Sequence, residues 1–245
     1  MVIDITYKCR MNCQHCMVDA DVNGEHMSDN VFEQTLRFVK EINPFIVIIS
    51  GGEPTEHPHF IEYVKRIKEI ACGNDKLSPF NNSNRIIITS NGMFDSKIRQ
   101  QLIDLGVTVQ ITRDNKYYKI SVEYVEHDNF LYINDIGYQP LYPSGRAKDC
   151  GSIVNPKCFN VRNMVCNNGI GYKQAVKLME MNLKSCHPVV RPNGDIILGE
   201  TIDCKPVGNV FNSIDDITRN IRELSCNNCK MYNYLSAKYT ALIRG

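Results

Sequence analysis

Two hydrophobic periods alternate along the first half of the chain. VIDITY (2–7) is apolar and β-branched, the composition of a strand. Ser28, Asp29 and Asn30 then offer N-caps, and Glu33 three residues after Asn30 gives a capping-box pattern. Val31, Phe32, Leu36, Val39 and Ile42 recur at helical spacing before Pro44 closes the segment. IVIIS (46–50) is a continuous apolar run, as expected of a parallel strand buried on both faces. Pro58 predicts a helix start, with Phe60, Val64, Ile67 and Ala71 on one side. After the polar loop GNDKLSPFNNSN (73–84) come a strand, IIITS (86–90), a helix over 95–106 closed by Gly106, and a strand, VTVQIT (107–112). FLYIND (130–135) reads as a further strand, 137–170 as irregular loops, 172–183 as a helix and 189–198 as a hairpin turning at Pro-Asn-Gly-Asp.

Strand and helix alternate at least three times, which predicts a parallel α/β fold. An open doubly wound sheet and a barrel both satisfy the pattern. Both place their sites at the C-terminal ends of the strands. Cys9 follows the first strand, Gly51 the second and Asn91 the third, so the residues with chemical potential obey that rule.

The 245 residues are 43% apolar with a formal net charge of +1, enough for a sizeable core and without the basic excess of a nucleic-acid binder. No apolar stretch approaches membrane-spanning length, and MVIDITYK is too short and polar for a signal peptide. The expectation is a cytoplasmic protein with neither a membrane nor a nucleic-acid partner. Cysteine is the outlier, with 11 residues. In a reducing compartment that number, being odd, points to metal binding or catalysis before disulfides.

CRMNCQHC (9–16) places Cys9, Cys13 and Cys16 in one C-x3-C-x2-C loop. Thiolates are soft ligands suited to iron–sulfur clusters, zinc or copper(I). A [4Fe-4S] cube normally takes four thiolates, so three leave one iron open to a small molecule. Zinc is the rival reading, with His15 as a fourth ligand, although structural zinc usually shows two separated pairs.

C-x3-C-x2-C after a first strand resembles the signature of the radical S-adenosylmethionine superfamily. SGGEP (50–54) and TSNG (89–92) follow in the order that family has them. The resemblance covers about the first 115 residues and implies a partial parallel (β/α)6-type barrel. It implies Cys9, Cys13 and Cys16 as ligands of a [4Fe-4S] cluster, with His15 at a position that is usually aromatic. It also implies S-adenosylmethionine contacts by Gly51, Gly52, Glu53 and Pro54, by Ser90 and Asn91, and by Gln110. Glu53 would accept from the amino group, and the glycines would let backbone approach the ligand. The implied chemistry is reductive cleavage of S-adenosylmethionine to a 5′-deoxyadenosyl radical that takes hydrogen from a substrate. Flavodoxin or ferredoxin is the implied electron donor.

Residues 1–185 are expected to form this core and 186–245 an irregular cysteine-containing extension. Cys186, Cys204, Cys226 and Cys229 resemble the auxiliary-cluster tails called SPASM or twitch domains, with wider spacing, and imply a second iron–sulfur cluster or a structural zinc. Cys150, Cys158 and Cys166 read as loop or core thiols. Arg146, in YPSGRA (142–147), is either a solvent-facing residue or one that holds a carboxylate of substrate or cofactor. Tyr117, Tyr118, Tyr138 and Tyr142 read as packing residues or as the lining of a planar substrate's pocket. His57 and His59 read as residues at the start of a helix.

A small-molecule substrate is expected. In size and layout the chain resembles the small queuine lyases of gut Firmicutes, which implies conversion of queuine to 7-aminomethyl-7-deazaguanine. A peptide or protein maturase and a metal-binding module without catalysis are the alternatives.

Overall fold

A computed structural model describes residues 1–44, 46–71, 85–112, 124–133, 145–146, 188–199 and 204–223. The segments read from sequence as a polar loop (73–84), as irregular loops (137–170, apart from 145–146) and as a helix (172–183) lie outside these residues. So do Cys150, Cys158, Cys166, Cys186, Cys226, Cys229 and the four tyrosines.

β1 (Val2–Thr6), β2 (Val47–Gly51), β3 (Ile86–Ser90), β4 (Thr108–Thr112) and β5 (Phe130–Ile133) pair in parallel, each beside its predecessor. β6 (Pro188–Val190) pairs in parallel with the free side of β1. β7 (Asp195–Leu198) and β8 (Gly208–Asn209) continue antiparallel, giving the order β5-β4-β3-β2-β1-β6-β7-β8. The first four strands advance in one direction with no reversal. β6 then lies on the other side of β1, so strand order alone fits either winding; α1, α2 and α3 share one core on one face of the sheet, which is the single winding of a barrel. The eight described strands form one mixed sheet with two edges, so it is not closed. β6 and β7 join it although they follow the boundary expected at 185/186.

α1 (Asp29–Ile42), α2 (Phe60–Ala71) and α3 (Ser96–Leu105) supply the crossovers. Ser28 caps α1 by accepting from the Val31 N–H, so Asp29 and Asn30 fall inside the first turn. Glu33 does not complete a capping box; it takes a bidentate bond from Arg66 on α2. Asn43 ends α1 in the left-handed region (φ 50°), just ahead of Pro44. Pro58 does not start α2: a short 3-10 turn over Pro54–Glu56 comes first, and α2 begins at Phe60. Asp95 and Gly106 cap α3 at the limits expected. The apolar pattern did not predict β8 or the fourth helix, α4 (Ile214–Glu223). β8 is too short for a period; α4 is largely polar but does carry Ile214, Ile217 and Ile221 at helical spacing.

Alternation across each strand divides the sheet. Ile3, Ile5, Val47, Ile49, Ile86, Ile88, Val109 and Ile111 are buried in one core with Phe32, Leu36, Val39, Val64, Ile67 and Leu102 of the helices. The other face carries a smaller cluster of Val2, Val189 and Ile197, flanked by Ile48 and Cys204. No helix among the described residues is long and apolar enough to cross a membrane.

His57 locks the approach to α2. Its Nε2 lies 3.0 Å from the Met27 carbonyl, and its Nδ1 accepts from the His59 N–H at 3.1 Å. This pairing requires the neutral ring with the proton on Nε2. Burial pushes the His57 pKa below the ordinary 6.5, and the neighbouring His26 adds to the effect. An unfolded chain therefore binds this proton more readily than the folded one. Stability attributable to His57 is complete above the ordinary histidine value and declines as pH falls through it. The urea midpoint is expected to drop between about pH 7.5 and about pH 5.5. In His57→Gln that drop should shrink; an unchanged slope would remove His57 as its source.

Candidate active site

The cysteine loop leaves β1 and folds back along it. Cys9 N–H donates to the Asp21 carbonyl at 2.7 Å, Tyr7 N–H to Glu25 at 2.8 Å and Met27 N–H to Ile5 at 2.8 Å. Within the loop the Cys16 N–H reaches the Cys13 carbonyl at 3.3 Å, and the Ala20 N–H reaches Cys16 Sγ at 3.3 Å. Asn12 and Asp19 adopt left-handed backbone (φ 46° and 53°) on either side of Cys13–Cys16. None of the three cysteines forms a disulfide; Cys9 is buried, and Cys13 and Cys16 are partly exposed. His15 sits half-buried between them.

The GGEP segment is set against this loop by contacts that glycine alone permits. A Cβ on Gly51 would lie 2.1 Å from the Thr6 carbonyl oxygen, and one on Gly52 2.4 Å from that of Lys8. Gly51 also has φ +130°, where side chains are strained. Gly52 N–H donates to Thr6 at 2.7 Å and Glu53 N–H to Lys8 at 2.9 Å. The close approach expected of these glycines is thus made to the chain's own backbone. Arg10 adds a tie, donating through its backbone N and its Nε to Glu56 at 3.1 and 3.2 Å.

Glu53 is fully buried. Its Oε1 accepts from the Thr55 N–H (3.2 Å), Thr55 Oγ1 (2.7 Å) and Ser90 Oγ (2.9 Å); its Oε2 accepts from the Asn91 N–H (2.8 Å). Burial raises its pKa, while the Asn91, Thr55 and Ser90 donors pull the other way. One carboxylate therefore joins the end of β2 to the end of β3, and brings SGGEP and TSNG together. Pro54, beside it, is buried in the 3-10 turn. Asn91 in turn places Nδ2 3.9 Å from Cys9 Sγ. The backbone N–H groups of Met11 and Asn12 also favour a Cys9 thiolate, although burial, the largest effect, pushes that thiol up.

Gln110 lies in a polar row that crosses the sheet. On the sheet face away from the helices, Asp4 is in register with Ser50, Thr89 with Gln110, and Gln110 with Leu131. Thr89 Oγ1 donates to Ser50 Oγ at 2.8 Å, which joins the two halves of this row. Asp4, at 5% exposure, accepts from Tyr7 at 3.4 Å. The apolar, β-branched runs placed these strands, but the cross-strand polar row is visible only once the register is known.

Arg146 is neither solvent-facing nor spare. Its Nε and Nη2 donate to the carbonyls of Cys13 and Ala20 at 2.9 and 2.7 Å. Cys204 is half-exposed beside the small cluster of β1, β6 and β7, away from the three-cysteine loop.

An α/β sheet with barrel winding and a three-thiol loop at its C-terminal end defines a class of radical enzymes. The Radical SAM superfamily matches residues 3–136, more than half of the chain, and the protein belongs to that superfamily. It is accordingly an enzyme whose cofactors are S-adenosylmethionine and a [4Fe-4S] cluster. Among curated relatives it is 29% identical over 115 residues to the PqqA peptide cyclase of Bradyrhizobium diazoefficiens, covering 46% of this chain and 27% of that protein. It is 28% identical over 130 residues to the GTP 3′,8-cyclase of Alkaliphilus metalliredigens, covering 49% and 38%. The matches thus span about a quarter to two fifths of these relatives. Among solved structures, BtrN in complex with AdoMet and 2-DOIA aligns with a TM-score of 0.59 at 16% identity, over 91% of this chain and 84% of that one. Streptococcus suis SuiB bound to precursor peptide SuiA aligns at 0.54 and 15% identity, over 94% and 67%. These structural likenesses establish the fold.

The residues present fit the cluster. Among the described residues no three His, Cys, Asp or Glu side chains are gathered tightly enough to hold a single metal ion. A cubane makes another demand, since each thiolate takes its own iron. Three soft donors on one pinned loop, none in a disulfide and with amide N–H groups turned to the innermost, meet it.

Glu53→Gln replaces one acceptor with an NH2 that faces a donor, either the Asn91 N–H or the Thr55 and Ser90 groups. We expect a loss of roughly 1–3 kcal/mol in chemical denaturation, the cost of a buried mismatched donor. A variant as stable as the parent would show that this carboxylate does not join the strands.

Proposed function

We propose that Cys9, Cys13 and Cys16 hold the cluster, and that the GGEP and TSNG ends of β2 and β3 hold S-adenosylmethionine beside it. The observation that carries this is the Glu53 junction, which brings both segments to the thiol loop. When bound, the cluster and S-adenosylmethionine supply one-electron cleavage of the sulfonium and a carbon radical able to take hydrogen. The chain's own part is to hold and to shield. Oε2 of Glu53 accepts one described bond and keeps a spare lone pair, but the group is fully buried, so it meets an ammonium only if ligand binding uncovers it. Gly51, Gly52, Pro54, Ser90 and Asn91 shape the walls. His15 and Gln110 are assigned as flanking contacts.

The substrate is read as a small polar molecule with a basic nitrogen. Asp4, Ser50, Thr89 and Gln110 offer a carboxylate and hydrogen-bonding groups in one row across the sheet. Queuine, a deazapurine with a secondary amine and a diol, matches that chemistry, and its conversion to 7-aminomethyl-7-deazaguanine is the specific assignment. A peptide substrate is the second reading. It is favoured by the PqqA peptide cyclase relative and by Cys204, which with Cys186, Cys226 and Cys229 would hold an auxiliary cluster or zinc in the extension from residue 186. The reducing cytoplasm, with flavodoxin or ferredoxin as donor, suits eleven cysteines.

Anaerobic reconstitution should give about four irons per chain, or about eight if the late cysteines hold a second cubane. Dithionite and S-adenosylmethionine should then yield methionine and 5′-deoxyadenosine, and alanine at any of Cys9, Cys13 or Cys16 should abolish both iron and product. With queuine present, mass spectrometry should find the aminomethyl base, and Asp4→Asn should lower its formation by about tenfold or more while cofactor cleavage persists. Unchanged queuine during active cleavage would eliminate that substrate.

A further inference from the structure

The two described residues at 145–146 grip the cysteine loop from about 130 positions away in the chain. Arg146 N–H donates to the Cys16 carbonyl at 3.0 Å. Its side chain donates from Nε to Cys13 and from Nη2 to Ala20, and Nη1 lies 3.7 Å from Asp19 Oδ1. Gly145 adopts φ +51°, and a Cβ there would stand 2.7 Å from the Cys16 oxygen and 2.9 Å from that of Met17. These are independent observations, one of polar contact and one of space, on the same eight residues.

The Cys13 and Ala20 carbonyls both face the guanidinium, whose charge offsets their mutual repulsion, while the Cys16 carbonyl is met by the backbone N–H. The loop also holds left-handed backbone at Asn12 and Asp19, a conformation that surrounding structure must enforce. Arginine suits the task because its rigid fork reaches two acceptors at once, where an ammonium is a single point. Its side chain is 31% exposed, so the cation keeps partial hydration.

We propose that Gly145 and Arg146 form a clamp that fixes the cysteine loop in its cluster-binding shape, which makes Arg146 a positioning residue for the metal centre. This rests on the reading that Cys9, Cys13 and Cys16 hold the cluster. The clamp works on loop carbonyls, so its loss is felt as looser iron binding before any effect on S-adenosylmethionine.

The test compares the reconstituted protein with Arg146→Gln, Arg146→Lys, Gly145→Ala and, as a control at the contact between α1 and α2, Arg66→Gln. Iron retained against a chelator and the electron paramagnetic resonance spectrum of the reduced cluster are read together with the melting temperature of each apoprotein. We expect Arg146→Gln and Gly145→Ala to weaken iron retention by about 10–100-fold, the usual effect of removing an outer support of a metal site. The reduced-cluster spectrum should shift, Arg146→Lys should recover only part of the loss, and Arg66→Gln should match the parent. Parental iron retention and spectrum in both Arg146→Gln and Gly145→Ala would overturn the clamp. So would a raised KM for S-adenosylmethionine with iron untouched, which would mark Arg146 as a ligand contact. If the parent chain itself assembles no cubane, the cluster assignment fails first, and the clamp with it.

Discussion

A single buried carboxylate organises the candidate site. Glu53 has no contact with solvent, yet it meets four donors from three residues on two strand ends. Such a group is costly to bury alone and is tolerated because its acceptor sites are filled. The consequence is geometric. The turns after β2 and β3 cannot move independently, and Asn91 carries the constraint on to Cys9. The site thereby inherits the rigidity of a parallel sheet whose alternate residues are packed into the helical layer.

The loop before the site is fixed by different means. It has almost no regular structure, so its order comes from anchors at both ends and from outside. β1 supplies one set through the bonds to Asp21, Glu25 and Met27; the GGEP turn supplies another through Arg10 and Glu56; residues 145–146 supply a third. The glycines at 51, 52 and 145 act alike in all this. Each lets one backbone approach another more closely than a side chain would allow. A ligand placed here meets walls made mostly of main chain, which suits recognition of a small cofactor.

Much of the fold is legible in the residues because burial imposes its period locally. The runs at 2–7, 46–50, 86–90 and 107–112 are strands, and the caps at Ser28, Asp95 and Gly106 end helices where their chemistry directs. The hairpin near 189–198 follows its turn residues. Misreadings occurred where two local rules competed. Asn30 and Glu33 fit a capping box, but a salt bridge to another helix claimed Glu33; Pro58 fits a helix start, but the chain first makes a 3-10 turn. Short β8 leaves no periodic trace, whereas α4 carries one, Ile214, Ile217 and Ile221 at spacings of three and four, that the sequence reading passed over.

The sequence by itself determined the strand–helix alternation, the cysteine spacing and the order of the motifs, since each is a property of neighbouring residues. Tertiary structure decided which strand lies beside which and put the crossover helices on one face, the winding of a barrel. It also turned Glu53 from an apparent loop carboxylate into the tie between β2 and β3, and turned Arg146 onto the carbonyls of a loop more than a hundred residues earlier. The physical reason is common to all three. Hydrogen bonds and close packing between distant segments depend on register and approach, and neither leaves a periodic mark on the chain.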